Sequence, residues 1–399
     1  MQAVSARGRV MVAAFGDPGH AFPAIALARE LAGRGHEVVV ETWERWREPV
    51  EELGLRFTAA EEYTVFPPPP PDSDGPNAAS AARALAPFVE EWRPDVVVSD
   101  ILTQAPALAA EMAGVERATL IPHVFPPHER GLPFFGFGLR PARTAVGRAM
   151  WRAGEPLLEA GLRRGRAELN RTRAELGLAP VGRFHGGISE RLAMVATFPQ
   201  LEYPRRWPAG VRVTGPMFFE LPYPDVELPE GDGPLVLVAP STSQDPDHRL
   251  VRVALEALAD EPVRVVATTN REGANAHPSM AAPDNAVVVN WLSYSQVMPQ
   301  ASVVVCHGGH GTVARALSDG APVLVSPALG DMAETGARVA WAGAGLMLPG
   351  RWLRPGPLRW TVRRLLAERR FAERAGEIAA WSEANDGAAR GAELVETLR

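Results

Sequence analysis

Two stretches of this chain combine residue types that can do chemistry with a spacing that lets them do it. The first covers 302–317 and contains Cys306-His307-Gly308-Gly309-His310-Gly311-Thr312. An apolar run ends at Cys306, a glycine-rich turn follows, and a helical pattern starts near Thr312. Glycines let the backbone approach a ligand closely. The first turn of a helix offers unpaired N–H groups and a partial positive charge, which suits a diphosphate. His307 can donate to a phosphate oxygen. The Thr312 hydroxyl can add a second donor, cap the helix, or both. The turn lacks G-x-G-x-x-G and the P-loop lysine, which counts against dinucleotide and P-loop readings. The second stretch is Phe15-Gly16-Asp17-Pro18-Gly19-His20-Ala21-Phe22-Pro23. It places His20 in the turn after an apolar strand-like run. An imidazole is nearly matched to neutral pH, and a helix N-terminus beside it disfavours the protonated form, so His20 is available as a base. Asp100 ends another apolar run and projects at the same sheet edge.

Other candidates carry less. Asp245-Pro246-Asp247 is formally D-x-D, but it follows Ser241-Thr242-Ser243 and opens a helical pattern, which reads as capping. His307 and His310 lie three apart with no carboxylate or thiolate set to complete a metal site, so no metal is expected. Cys306 packs in its strand.

The elements that must position these residues read as alternating strands and helices. Strand-like runs cover 9–15, 36–41, 95–99 and 117–121, with helical patterns at 23–32 and 103–113. The alternation restarts with strands at 234–239, 263–268, 286–289, 301–306 and 322–326, a helix at 247–259 and helices from 360 to 399. This rhythm predicts an α/β chain of two Rossmann-like halves, each with a parallel sheet covered by helices. The expected organisation is an N-terminal domain over 1–217, a linker over 218–233, and a C-terminal domain over 234–380. Five consecutive prolines, Pro67 to Pro71, favour an extended surface loop. The stretch 126–141 is irregular and carries Phe134, Phe135 and Phe137. It reads either as a loop pinned to the core by aromatics or as an apolar wall of a cleft.

Composition narrows the class. The chain has 399 residues, 46% apolar and 22% charged, the balance of a soluble protein with two cores. A net charge of −6 without a long basic block counts against sustained nucleic-acid binding. The single cysteine excludes an internal disulfide framework. No run reaches the length of a membrane span and no cleavable leader is visible, so a cytoplasmic monomer or homodimer is the expectation.

Asn290-Trp291-Leu292, the 307–312 loop, and Pro327-Ala-Leu-Gly-Asp331-Met332-Ala-Glu334 together resemble the nucleotide-sugar signature of family 1 glycosyltransferases. The chain looks most like the bacterial antibiotic and natural-product members. Gly19, His20 and Pro23 match that family's Gly-His-x-x-Pro. The resemblance implies a GT-B fold, two parallel-sheet domains facing across a cleft, with the helix at 381–399 crossing back to the first domain. It implies a hexosyltransferase that uses a UDP- or dTDP-sugar as co-substrate, needs no metal, and inverts configuration at a hydroxyl of an apolar acceptor.

The resemblance also assigns roles. His20 deprotonates the acceptor and Asp100 orients it and stabilises the imidazolium. Trp291 stacks on the base, with backbone near Leu292 on the base edge. His307, Gly308, Gly309, Gly311 and Thr312 hold the diphosphate, with Ser241 and Thr242 as further phosphate contacts. Asp331 accepts from sugar hydroxyls. Met332 stands where the family usually has glutamine, and Arg315 where it often has a glutamate for the ribose, so those contacts must differ. Phe66, His123, Phe125, Phe134 and Phe135 are the expected acceptor contacts. Closure about the linker would exclude water. A nucleotide-sugar epimerase, or a silent nucleotide-sugar-binding homologue, is the alternative.

Overall fold

The computed structural model describes residues 7–60, 77–183, 187–241, 245–270, 280, 282–328 and 330–399. The first sheet is built from β1 (Arg9–Ala13), β2 (Glu37–Trp43), β3 (Arg56–Ala60), β4 (Val96–Asp100), β5 (Glu116–Ile121), β6 (Ala193–Val195) and β7 (Val211–Val213). The second is built from β8 (Leu235–Ala239), β9 (Arg264–Thr268), β10 (Ala286–Val289), β11 (Ala301–Cys306), β12 (Val323–Val325) and β13 (Gly345–Met347). Every pairing among the described residues is parallel. The helices of the first half are α1 (Pro18–Gly33), α2 (Arg47–Glu52), α3 (Ala78–Trp92), α4 (Gln104–Met112) and α5 (Ala145–Glu175). Those of the second are α6 (Arg249–Leu258), α7 (Tyr294–Val297), α8 (His310–Ser318), α9 (Met332–Ala342), α10 (Pro355–Ala367), α11 (Arg369–Glu383) and α12 (Gly387–Glu396). The fold is two Rossmann-like α/β units.

Strand order explains where chemistry can occur. The sheets run β3-β2-β1-β4-β5-β6-β7 and β10-β9-β8-β11-β12-β13. Each order reverses once, between β1 and β4 and between β8 and β11. At such a switch point the two following loops turn away from each other and leave a crevice at the carboxyl ends of the strands. Ala13 pairs with Ser99, which brings Asp100 level with the start of the loop leading into α1. Cys306 pairs with Ala239, which sets the 307 turn beside the loop after β8.

Local chemistry moves one boundary that matters. Helix α1 begins at Pro18, ahead of the start expected at 23. Proline is suited to the first helical position because no N–H is needed there. The His20 and Ala21 amides both donate to Asp17 O at 2.9 Å. His20 therefore sits within the first helical turn. The three-residue strands β6 and β7 had no expected counterpart, whereas the 31-residue α5 forms over the arginine-rich stretch 140–173, whose interleaved Leu, Ala and Trp read as a solvated helix face. The stretch 214–234 contains no helix or strand.

The two units share apolar packing. One buried cluster joins Val124, Phe198 and Leu201 of the first half to Leu235, Val304 and Val313 of the second. Trp381 meets Phe198 edge-on at 6.0 Å. Beyond it the chain passes close under 215–216, where Gly387 is required: a Cβ there would lie 2.2 Å from Pro216 O. Helix α12 then packs on α1, with Ala392 and Val395 inside the first core. Its Glu396 faces His36 Nε2 at 3.0 Å. No described helix is long and apolar enough to cross a membrane.

Candidate active site

His20 Nδ1–H donates to Asp100 Oδ1 at 2.9 Å. Asp100 is 1% exposed, and its Oδ2 accepts the Phe15 amide at 3.3 Å. A buried carboxylate with both oxygens used holds the ring in one orientation and one tautomer. The other ring nitrogen, Nε2, has no partner among the described residues and is left for a ligand. The imidazole remains 18% exposed. Burial opposes its protonation. The charge and hydrogen bond of Asp100, with further attraction from Asp331 and Asp17, outweigh burial, and the net direction of the pKa is upward from 6.5. This corrects the expectation that the helix N-terminus disfavours the imidazolium: the carboxylates decide the sign.

Phe15 and His123 flank His20, each with its ring centroid 6.0 Å from that of His20. His123 Nδ1–H donates to Val124 O at 2.8 Å, which leaves its Nε2 a bare acceptor. Burial, and then the neighbouring His20, push its pKa down from 6.5. Phe135 lies 6.0 Å from His123. The segment 126–141 thus does both things the sequence allowed. Phe135 stands near the His20 and His123 pair, whereas Phe134 pins the loop to α5, packing edge-on against Trp151 at 5.7 Å and over Gly154. Phe134 therefore serves as an anchor of the loop, with its ring half-buried. Phe125 also needs correction: its ring is 2% exposed, under the Arg205 guanidinium at 4.6 Å and beside Trp207, so it offers an acceptor no face. Phe66 lies outside the described residues.

On the second sheet, His310, Gly311 and Thr312 form the first turn of α8 after Gly309, with no side-chain cap, so their amides point free of the helix. Gly308 has φ +93°, and a Cβ there would lie 2.8 Å from Met332 O. Only glycine lets the α9 backbone come this close to the turn. Burial presses the His310 pKa down to about 3.

His307 contradicts the role given to its ring. Nδ1–H donates to Ser326 O at 2.8 Å, and Nε2 faces Asp245 Oδ2 at 3.1 Å. Both nitrogens are engaged and the residue is 4% exposed, so the ring has nothing to give a phosphate. Asp245 also accepts the Arg249 and Leu250 amides at 2.9 and 3.0 Å. Although burial alone would raise it, the His307 bond and these amides bring its pKa down to about 2. His307 and Asp245 therefore act as a brace that holds the glycine turn against α6.

Asp331 stands at the N-cap position of α9, yet its side chain makes no capping bond and is exposed. Its carboxylate attracts both His20 and His123 across the cleft. Met332 opens α9 and contributes backbone to the approach over Gly308. Trp291 lies parallel to Tyr223, at 8° and 5.7 Å, so one face is covered and only the other can take a base. Tyr223 was not anticipated. Leu292 is a core side chain at 4% exposure. Arg315 stacks on Phe218 at 4.3 Å. Ser241 follows β8 at the crevice, half-buried. Thr242 lies outside the described residues. No group of three potential metal ligands occurs among the described residues.

Known proteins resemble this chain in sequence and in fold. Residues 252–398 match the family described as Erythromycin biosynthesis protein CIII-like, C-terminal domain, and residues 24–167 match the Glycosyl transferase 4-like domain. O-mycaminosyltylonolide 6-deoxyallosyltransferase of Streptomyces fradiae is 30% identical over 90% of this chain and 88% of its own. The chain belongs to the family 1 natural-product glycosyltransferases. A second relative of this glycosyltransferase, 4'-demethylrebeccamycin synthase of Lentzea aerocolonigenes, is 29% identical over 98% of this chain and 99% of its own. The fold is that of the solved glycotransferase of kitacinnamycin, with a TM-score of 0.79 at 21% identity, covering 98% of this chain and 99% of that one. The enzyme is a GT-B glycosyltransferase of the type found in antibiotic biosynthesis.

Proposed function

We propose that the enzyme moves a sugar from a UDP- or dTDP-linked donor to a hydroxyl of an apolar natural product, with inversion at the anomeric carbon. The observation that carries this reading is the His20 and Asp100 pair. One ring nitrogen is held at 2.9 Å by a buried carboxylate, and the other is free on the side of Asp331. In this reading Nε2 takes the acceptor proton as the oxygen attacks, and Asp100 stabilises the imidazolium that forms. The diphosphate leaves from the opposite face of the sugar, so no covalent intermediate is required. Its charge is met by the first-turn amides of α8 and by the Thr312 hydroxyl, without a metal ion. Asp331 accepts from sugar hydroxyls, and Met332, which cannot hydrogen-bond comparably, favours a sugar lacking one of them. The Streptomyces fradiae relative is named for transfer of such a deoxysugar.

The test is a panel of UDP- and dTDP-sugars against polyphenol, macrolide and triterpenoid acceptors, read by mass spectrometry with the anomeric configuration assigned by NMR. The expected product carries inverted configuration and forms undiminished in the presence of a chelator. Retention of configuration, or a strict requirement for a divalent ion, overturns the mechanism.

A further inference from the structure

Helix α9 carries Asp331 at its start and a buried ion cluster in its middle. Arg338 Nε donates to Glu334 Oε1 at 2.8 Å, one turn back on the same helix. Arg338 Nη1 donates to Glu202 Oε2 at 2.7 Å and to Leu201 O at 3.2 Å, both from the first half of the chain. All three charged side chains are nearly sealed, at 4%, 1% and 3% exposed. The guanidinium also lies over the Tyr203 ring at 4.3 Å.

The same short segment grips the loop after β5. Glu202 Oε1 accepts the Phe125 amide at 2.6 Å. Tyr203 OH donates to Leu139 O at 3.1 Å. Arg205 donates to Phe125 O at 3.3 Å and Pro127 O at 2.5 Å. Within that loop Gly138 has φ +65°, and a Cβ there would lie 2.9 Å from Ala333 O on α9. The loop therefore starts beside His123, closes on Ala333, and is held at both ends by residues 202–205.

We propose that Arg338 is a positioning residue that sets the loop bearing His123 and Phe135 against the helix bearing Asp331. The physical argument is one of cost. Buried ion pairs are weak sources of stability, since apolar residues of the same size do as well or better. Where they matter, they specify one geometry among several. A planar fork with fixed donor directions between two carboxylates does this well, and a lysine ammonium does not. Because Glu202 spends its other oxygen on the Phe125 amide, displacing Arg338 frees the carboxylate that orders the start of the loop. Acceptor and donor subsites then lose their common reference, although Arg338 touches neither ligand. The proposal rests on the reading that this loop forms the acceptor side.

The experiment uses the full chain with Arg338→Lys, the charge-balanced double variant Arg338→Met with Glu202→Gln, and Tyr203→Phe, which removes one tie without disturbing a buried charge. Phe135→Ala serves as the control for the acceptor site. Affinity for UDP or dTDP alone is expected to stay within about two-fold, because the amides of α8 are untouched. Acceptor KM is expected to rise at least five-fold, and hydrolysis of the donor to gain at least ten-fold relative to transfer. Tyr203→Phe is expected to show the same trend in weaker form. Folded Lys and double variants with unchanged acceptor KM and unchanged transfer-to-hydrolysis ratio overturn the proposal, provided Phe135→Ala raises acceptor KM. If Phe135→Ala also leaves it unchanged, the acceptor reading itself falls, and the proposal with it. Should the Arg338 variants fail to fold, Tyr203→Phe alone decides, by the same ratio.

Discussion

Replacing Asp100 with Asn keeps the shape of the His20 contact and removes its charge, so it separates holding the ring from charging it. In the wild-type protein the His20 pKa lies above 6.5 because carboxylates, Asp100 foremost, outweigh burial. A neutral imidazole is required to accept the proton. The acid limb of kcat/KM should therefore fall above pH 6.5, with activity rising as pH rises through it. At a 2.9 Å contact the charge centres are about 4 Å apart, and at an effective dielectric constant of about 20 the attraction is about 4 kcal/mol. Divided by about 1.36 kcal/mol per tenfold, that is about three orders of magnitude. The imidazolium gains this support in the transition state, so Asp100→Asn should lower kcat/KM by roughly 10² to 10⁴. With the charge gone, burial dominates and the acid limb should shift to lower pH. The assay is initial-rate transfer between pH 5 and 9 at saturating donor, with UDP or dTDP affinity measured in parallel and expected to stay unchanged. A loss smaller than tenfold, or a limb that stays put or moves to higher pH, would show that Asp100 does not charge-stabilise His20.

Three further outcomes follow from groups the structure places. Glu41 is 7% exposed and burial alone lifts its pKa to about 8, so the folded state keeps a proton the unfolded chain loses above about 4.5. Stability should therefore fall as pH rises across that window, by up to about 1.4 kcal/mol per pH unit, and Glu41→Gln should remove that slope. Urea titrations at several pH values check it, and parallel curves for the two proteins would contradict it. Asp245 has the opposite sign: its pKa of about 2 lies below 3.8, so its contribution is present above pH 3.8 and fades as pH falls toward 2. Asp245→Asn should cost on the order of 2 kcal/mol at neutral pH, a cost that shrinks to a small fraction near pH 2 and disappears below it, read by denaturant unfolding. Gly308→Ala must adopt φ +93° with its Cβ 2.6 Å from Val325 Cγ1 and 2.8 Å from Met332 O. The strain is on the order of 1–3 kcal/mol, and the turn and α9 must separate to relieve it. Both thermal stability and diphosphate affinity should drop, and calorimetry showing neither would refute the close-approach argument.

The two glycine turns and the α/β rhythm were legible because they are local. A run such as Val96–Val98 or Val303–Val305 can only be buried on both faces, and parallel sheets bury strands in that way. A glycine-rich turn between such a strand and a helix marks a ligand edge wherever the partner strands lie. The short β6 and β7 escaped because three residues carry no period, and the true start of α1 because Pro18 suits a helix as well as a turn.

What residue types and spacing determined was the fold class and which two turns carry chemistry. They could not decide what each polar atom is bound to, because those partners lie far away along the chain. Asp245 sits 62 residues from His307 and Glu202 sits 136 from Arg338, and neither pair was foreseen, whereas Asp100, 80 residues from His20, was placed beside it by the shared sheet edge and the family resemblance. Tertiary structure alone turned His307 from a free donor into a brace, sealed Phe125 away from the cleft, made Phe134 an anchor on α5, and raised the His20 pKa where the local helix predicted a lower one. A side chain's chemistry is written in its residue type, but its charge state and its free valences depend on which distant groups the fold brings within 3 Å.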